Sequence, residues 1–240
     1  MERRNFLKSC ALTAATLAGS KVIVNDLHAA ATEYAPHTKA LLTKADGTPL
    51  RAADIEADKP YIFFYPQAAT PCYLINVEVE VKPTELTNPD GFSYQTHGGV
   101  GKARNIVAYS VICPHQWAYP QKEYTAINYY GKDDKECVLG SQLIKCCAHY
   151  SVYDPKEDGK KVKGAEASVP NLAMIVLEYD EGKDEIYAVG VAGAAQFDRF
   201  FKLYKKELRK EYGSSKKAKA AVDKAVVMPL SEYTADTIKC

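Results

Sequence analysis

The sequence predicts an all-β fold, an antiparallel β domain followed by a helical extension. Two observations carry this prediction. Short runs rich in β-branched and aromatic residues, separated by turn residues, recur between residues 61 and 191. The spacing of apolar residues becomes helical only after residue 196. A chain of 240 residues is long enough for one main domain with a substantial core.

The first segment, residues 1–31, is typical of an export signal. It carries RRNFLK at residues 3–8, which fits the twin-arginine motif, then an apolar run over 9–24 and small residues at 29–31. A chance arginine pair is the alternative. The apolar run is shorter than the ~20 residues of a membrane-spanning helix, so cleavage and retention as an anchor both stay open. We expect the protein on the periplasmic side of the inner membrane.

The next segment, residues 32–58, is predicted to be a linker, because it is polar and contains the breakers Pro36, Gly47 and Pro49. The main domain is then expected over 59–192.

Five runs of the main domain are predicted to be strands because they are β-rich and bounded by turn residues. They are 61–65, 73–81, 106–112, 172–179 and 185–191. The last two are separated by Asp180, Glu181, Gly182, Lys183 and Asp184, which predicts a hairpin.

Residues 193–240 are predicted to form a helical C-terminal extension. Its aromatic and leucine residues recur at helical spacing and Gly213 follows as a stop signal. They are Phe197, Phe200, Phe201, Tyr204, Leu208 and Tyr212. The opposite face is rich in lysine and arginine, which is more typical of a solvated surface than of a docking site for an acidic partner.

Charge and cysteine content exclude several classes of protein. The net charge of +1 provides no general attraction for nucleic acid. Seven cysteines are too few for a disulfide-scaffold fold. Cys10 falls in the signal, and spacing alone does not tell how the others pair; Cys72 and Cys240 have no assigned partner.

His97, in a glycine-rich loop, is expected at the surface.

Two short clusters combine thiols with imidazoles. Cys113 and His115 enclose Pro114, and Cys146 precedes His149 by three residues. Two cysteines and two histidines can bind one tetrahedral ion or two bridged irons. A structural Cys₂His₂ zinc site is therefore an alternative.

The C-P-H and C-x-x-H boxes resemble the pattern of the Rieske iron–sulfur protein family, over about residues 60–192 and most closely over 105–172. The resemblance implies a Rieske-type antiparallel β-sandwich with a small cluster-binding subdomain. It also implies a [2Fe–2S] cluster with Cys113 and Cys146 on one iron and His115 and His149 on the other. In the family, the exposed histidine edge can contact quinol, so His149 and His115 are candidates for that contact.

Residues beside the second box extend the resemblance. Ser151 and Tyr153 stand where Rieske proteins of cytochrome bc complexes have a serine that donates to a bridging sulfide and a tyrosine that donates to a ligand thiolate. Hydrogen bonds to cluster sulfur stabilise the reduced state, so they raise the reduction potential.

Other positions depart from the family pattern. Ala118 and Ala148 replace the two cysteines of the usual loop disulfide, and Cys147 lies one position too early to take part in it. We hypothesise that Cys147 pairs with Cys137 instead. Bulky residues, Trp117 and Tyr150, replace the usual loop glycines, and Val169-Pro170-Asn171-Leu172 stands where the family has a third, proline-containing loop.

The resemblance implies an electron-transfer protein rather than a self-contained enzyme. The first hypothesis is the Rieske subunit of a quinol-oxidising complex, with cytochrome b and a c-type cytochrome as partners. The second is the small subunit of a periplasmic molybdenum oxidoreductase, and the third is a structural zinc protein. A Rieske oxygenase is disfavoured, because the chain is too short for a catalytic domain and has no second His/His/carboxylate iron site.

Overall fold

The computed structural model describes residues 32–134, 140–148, 150–164 and 166–238, and the predicted export signal over 1–31 lies outside these ranges. The all-β prediction is confirmed. The strands are β1 (Thr32–Thr43), β2 (Pro60–Phe64), β3 (Pro71–Asn76), β4 (Glu85–Thr87), β5 (Ser93–Gln95), β6 (Ile106–Ser110), β7 (Tyr124–Thr125), β8 (Ile127–Tyr130), β9 (Leu143–Cys146), β10 (Ser151–Asp154), β11 (Lys160–Lys163), β12 (Met174–Asp180), β13 (Glu185–Gly193), β14 (Lys224–Val226), β15 (Met228–Pro229) and β16 (Asp236–Thr237).

The helices are short and lie on the C-terminal side. They are α1 (Phe197–Leu203), α2 (Lys205–Tyr212), α3 (Ser215–Ala218) and α4 (Leu230–Tyr233), with 3-10 turns at Ala52–Asp54 and Pro155–Glu157. None of the helices in the described part of the chain has the length and apolar content needed to span a membrane. Gly213 ends α2 with a left-handed φ of 78°, as the sequence predicted.

Eight strands form a large sheet in the order β14-β1-β13-β12-β6-β3-β2-β15. All neighbours are antiparallel except β1 and β14, which pair in parallel. Only Val227 separates β14 on one edge from β15 on the other, so the chain itself brings the two edges together. The large sheet is therefore strongly curled.

Four strands form a small sheet in the order β11-β10-β9-β8. Alternate residues of a strand point to opposite faces of a sheet. The large sheet packs a buried cluster on each of its two faces. Tyr73 and Tyr109 on one face pack in the same buried cluster as Ile144 and Tyr153 of the small sheet. On the other face, Leu74 and Ala108 share a second cluster with Phe197, Phe200 and Phe201 of α1. The small sheet is thus held on one side of the large one.

The segment expected as a linker contains a strand. β1 pairs with β13 and β14 inside the large sheet, although residues 34–39 are mostly exposed and only Ala40, Leu42 and Thr43 are buried near its end. Backbone pairing with β13, rather than an apolar pattern, makes these residues a strand.

Two further expectations need correction. The strand predicted over 73–81 ends at Asn76, because Glu78 has a left-handed φ of 66° that breaks the extended backbone. The extension over 193–240 is helical only in part, since β14 and β15 join the large sheet and β16 pairs with β7. The domain boundaries themselves remain predictions.

Candidate metal centre

The first candidate loop follows β6 and is closed on itself. The backbone N–H of Cys113 donates to the carbonyl of Ala118, and the N–H of Trp117 donates to the carbonyl of Cys113, both at 2.8 Å. The N–H groups of His115 and Gln116 point at the Cys113 sulfur. Cys113 is fully buried. This geometry presents one thiol to the interior and stabilises it as a thiolate.

The second loop connects β9 to β10. Cys146 is the last residue of β9 and pairs directly with Ser151, the first residue of β10. The N–H of Cys147 donates to the carbonyl of Ala126 at 2.6 Å, which fixes the start of the turn. His149 lies outside the described residues, so its position stays a prediction.

The structure brings the two buried thiols together. A hydrogen bond from Cys146 is the main cause that lowers the pKa of Cys113, to about 6, against burial, which raises it. The backbone N–H groups of the loop and the charge of His115 lower the pKa of Cys113 further. Both sulfurs are reduced thiols. Two adjacent thiols of which one ionises easily are suited to binding a metal.

The neighbouring Cys147 behaves differently from Cys146. It is disulfide-bonded, its partner lies outside the described residues, and the Tyr130 hydroxyl is 3.0 Å from its sulfur. A disulfide sulfur has no thiolate to offer a metal, so Cys146 is the thiol of this pair that can serve as a ligand. Cys72 is a free thiol elsewhere, buried and donating to the carbonyl of Tyr65 at 3.1 Å.

Two buried hydroxyls lie beside the thiols. The Tyr153 hydroxyl has Ser151 and the two thiols, Cys113 and Cys146, as neighbours; burial first, then the charge of Cys113, raises the pKa of Tyr153 far above its usual range. Ser151 and Cys113 lie close enough to interact with the Tyr153 hydroxyl, but neither the Tyr153 nor the Ser151 hydroxyl has a partner in full hydrogen-bond geometry among the described residues. A buried donor without a partner costs ~1–3 kcal/mol. Such donors fit an additional acceptor at this place, such as sulfide or a metal-bound thiolate.

The imidazole of His115 lies at the edge of the site. Its side chain is only 10% exposed, and Nε2 is 3.4 Å from the Glu166 carboxylate, while Nδ1 is buried. The ring therefore has one nitrogen toward the interior and the other toward an acidic side chain on the surface.

The proline-containing third loop lies close to this histidine. Val169 and Pro170 line a cleft of about 290 Å³ together with Pro114 and His115. Asn171 fixes the loop, because its backbone N–H donates to the side-chain oxygen of Asn88 at 3.2 Å. The proline-containing segment 169–172 therefore lies beside the first candidate loop.

Both bulky loop residues adopt a backbone that favours glycine. Trp117 has φ of 59° and Tyr150 has φ of 58°, in the left-handed region that costs a non-glycine residue ~1–2 kcal/mol. Tyr150 is 62% exposed, whereas Trp117 packs against the core cluster of the large sheet. These are the two positions at which the resemblance predicts glycine. Their left-handed backbone explains that preference, because glycine adopts a positive φ without steric cost.

The donor groups near the two loops determine which kind of metal centre they could form. Within the described ranges, no three histidine, cysteine, aspartate or glutamate side chains converge as the ligands of a single ion do. Adjacent buried thiols, the nearby imidazole of His115 and two hydroxyl donors without a partner among the described residues fit a two-iron cluster with mixed ligands.

Three residues near the site were not found by sequence reasoning. Glu166 contacts His115, and Gln196 and Arg199 line the same cleft. They are 51 to 84 residues away from His115 in the chain and belong to no recognisable motif, so only the fold relates them. His97, expected at the surface, is exposed and has its ring 5.3 Å from that of Tyr34.

Similarity to known proteins is found among solved structures. No model of a known protein family matches the sequence. Among solved structures, the chain is similar to the soluble domain of the Rieske protein II (soxF) from Sulfolobus acidocaldarius. The similarity covers 65% of this chain and 78% of that one, with 23% sequence identity and a TM-score of 0.44.

Proposed function

We propose that this protein is an exported Rieske-type electron-transfer protein. Cys113 and Cys146 would bind one iron of a [2Fe–2S] cluster, and His115 and His149 the other. The observation that carries the proposal is the pair of adjacent, buried thiols beside two hydroxyls that have no hydrogen-bond partner among the described residues. When bound, the cluster takes up and releases one electron.

The side chains around the centre have distinct roles in this proposal. The hydroxyls of Ser151 and Tyr153 would donate hydrogen bonds to sulfur of the bound cluster and so favour its reduced state. The backbone N–H groups of His115 and Gln116 stabilise the Cys113 thiolate. Burial of both thiols excludes water from them. The edge of His115 beside Glu166 is where a redox partner or a proton can approach.

For the wider function we propose the Rieske subunit of a quinol-oxidising cytochrome bc-type complex on the periplasmic side of the membrane. It would pass electrons to a c-type cytochrome. The small subunit of a periplasmic molybdenum oxidoreductase is the other assembly in which such a centre would serve. Co-purification with cytochrome b, or with a molybdenum enzyme, distinguishes the two.

The adjacent cysteines provide a matched experiment. Cys146→Ser should abolish iron binding, because it removes a ligand, whereas Cys147→Ser should retain the iron and lose only its disulfide, at ~2–4 kcal/mol of stability. Metal analysis and EPR of the dithionite-reduced protein measure both. Iron loss in Cys147→Ser with retention in Cys146→Ser would reverse the assignment. A colourless wild-type protein with stoichiometric zinc would refute the proposal.

A further inference from the structure

The single tryptophan of the chain joins the first candidate loop to the C-terminal helices. The indole Nε1 of Trp117 donates to the side-chain oxygen of Gln196 at 3.4 Å. The guanidinium carbon of Arg199 lies 5.8 Å from the centre of the Trp117 ring, within the range of a cation–π contact. Both partners come from the start of α1, so one helix end contacts one side chain of the loop twice.

A second aromatic residue just after the loop makes contacts with the same helix. Tyr119 lies 4.9 Å from Phe200 and 4.8 Å from Tyr204, measured between ring centres, with edge-to-face geometry. Phe200 is fully buried in the core cluster of the large sheet. The helix is thus anchored in the core, and the loop is attached to a rigid support.

Covalent restraint does not supply this support. Cys113 is the only cysteine of residues 113–118 and it is a free thiol. Trp117 also holds a left-handed φ that its side chain disfavours. Surrounding contacts must outweigh that preference for the conformation to persist.

We infer that Gln196 and Arg199 are positioning residues, which hold the loop carrying Cys113 and His115 by clamping Trp117 from α1. The inference rests on the proposed function for the identity of the centre, but not for the contact itself. It also gives the C-terminal extension a role. In place of a disulfide, noncovalent contacts from α1 hold the loop.

The contact can be measured without any metal, because Trp117 is the only tryptophan. In the iron-free full chain, Gln196→Ala and Arg199→Ala should each raise the population of displaced loop about fivefold. The readouts are a red shift of tryptophan emission and stronger quenching by acrylamide. Arg209→Ala is the control, since it removes the same charge from an exposed position on α2 and should change neither.

In the iron-loaded protein the same variants should lose iron about fivefold faster than Arg209→Ala, with a shifted midpoint potential and shifted EPR g-values. Arg199→Lys should lose iron at a rate between those of the wild type and Arg199→Ala, because an ammonium group does not stack on the indole as a planar guanidinium does.

Unchanged fluorescence and potential in both alanine variants, relative to Arg209→Ala, would overturn the inference. Circular dichroism of each variant shows whether the remaining fold is intact; if Arg199→Ala fails to fold, Arg199→Lys decides with the same readouts. If the wild-type chain binds no iron, only the proposed function falls, and the fluorescence measurement still decides whether α1 holds the loop.

Discussion

Replacement of Tyr153 by phenylalanine should raise the stability of the iron-free chain and lower the midpoint potential of the iron-loaded chain. The hydroxyl is fully buried beside Cys113 and Ser151, yet it completes no hydrogen bond of full geometry among the described residues. In the iron-free chain it is a cost, so Tyr153→Phe should raise the free energy of unfolding by about 1 kcal/mol. In the iron-loaded chain the substitution would remove the proposed hydrogen bond to sulfur, so the midpoint potential should fall.

The size of the shift follows from hydrogen-bond energies. A hydrogen bond to a charged acceptor contributes ~1.5–3 kcal/mol, and the reduced centre gains more from it than the oxidised one. A difference of about 1–1.5 kcal/mol corresponds to about 40–65 mV for a one-electron couple. Redox titration followed by EPR measures the potential, and denaturant unfolding of the iron-free chain measures stability.

The control for this prediction is Tyr65→Phe. The Tyr65 hydroxyl is also buried without a partner in the described structure, but it belongs to the core cluster on the other face of the large sheet. It should therefore show the stability gain without the change in potential. Equal potentials for Tyr153→Phe and Tyr65→Phe would refute the assignment of Tyr153 as a donor to the centre.

Two changes at the site and two at glycines of the fold provide further tests. Ser151→Ala should lower the potential by a similar amount as loss of the tyrosine hydroxyl, measured by the same titration. Glu166→Gln should raise it by roughly 10–30 mV, since a surface anion near the centre disfavours added negative charge, and the effect should shrink at high salt. Gly159→Ala should destabilise the fold by about 2–4 kcal/mol, because its φ is 75° and a Cβ would lie 2.8 Å from the Tyr109 ring. Gly213→Ala, with φ of 78° and no atom within 4 Å of a Cβ, should cost only the backbone part, about 1–2 kcal/mol, in a denaturant titration.

The parts of the fold that sequence could predict are those with a local signal. Alternating or continuous apolar runs marked β2, β6, β12 and β13. β1 gave no such signal, because most of its residues are exposed and the pairing with β13 determines its conformation. The three short strands after residue 223 were missed for the same reason.

The residues of the candidate site also fall into two groups, those marked by a local motif and those brought near by packing. Two spaced boxes indicated Cys113 and Cys146, and the structure brings these thiols together. Glu166, Gln196 and Arg199 approach the site through the packing of the third loop and of α1, and no spacing within the sequence encodes such contacts. The sequence pattern therefore named the two thiols that lie together, but not the residues that pack around the first candidate loop.

The last strands of the chain also determine how the two sheets can move. β14 and β15 lie on the two edges of the large sheet, while β16 pairs with β7, directly before the small sheet. The Asn128 side chain of the small sheet also donates to the carbonyl of Ile238. One continuous segment, residues 224–238, thus connects the small sheet to the large one and restrains motion between them. We therefore expect a centre held at the small sheet to move with the whole body rather than with the small sheet alone.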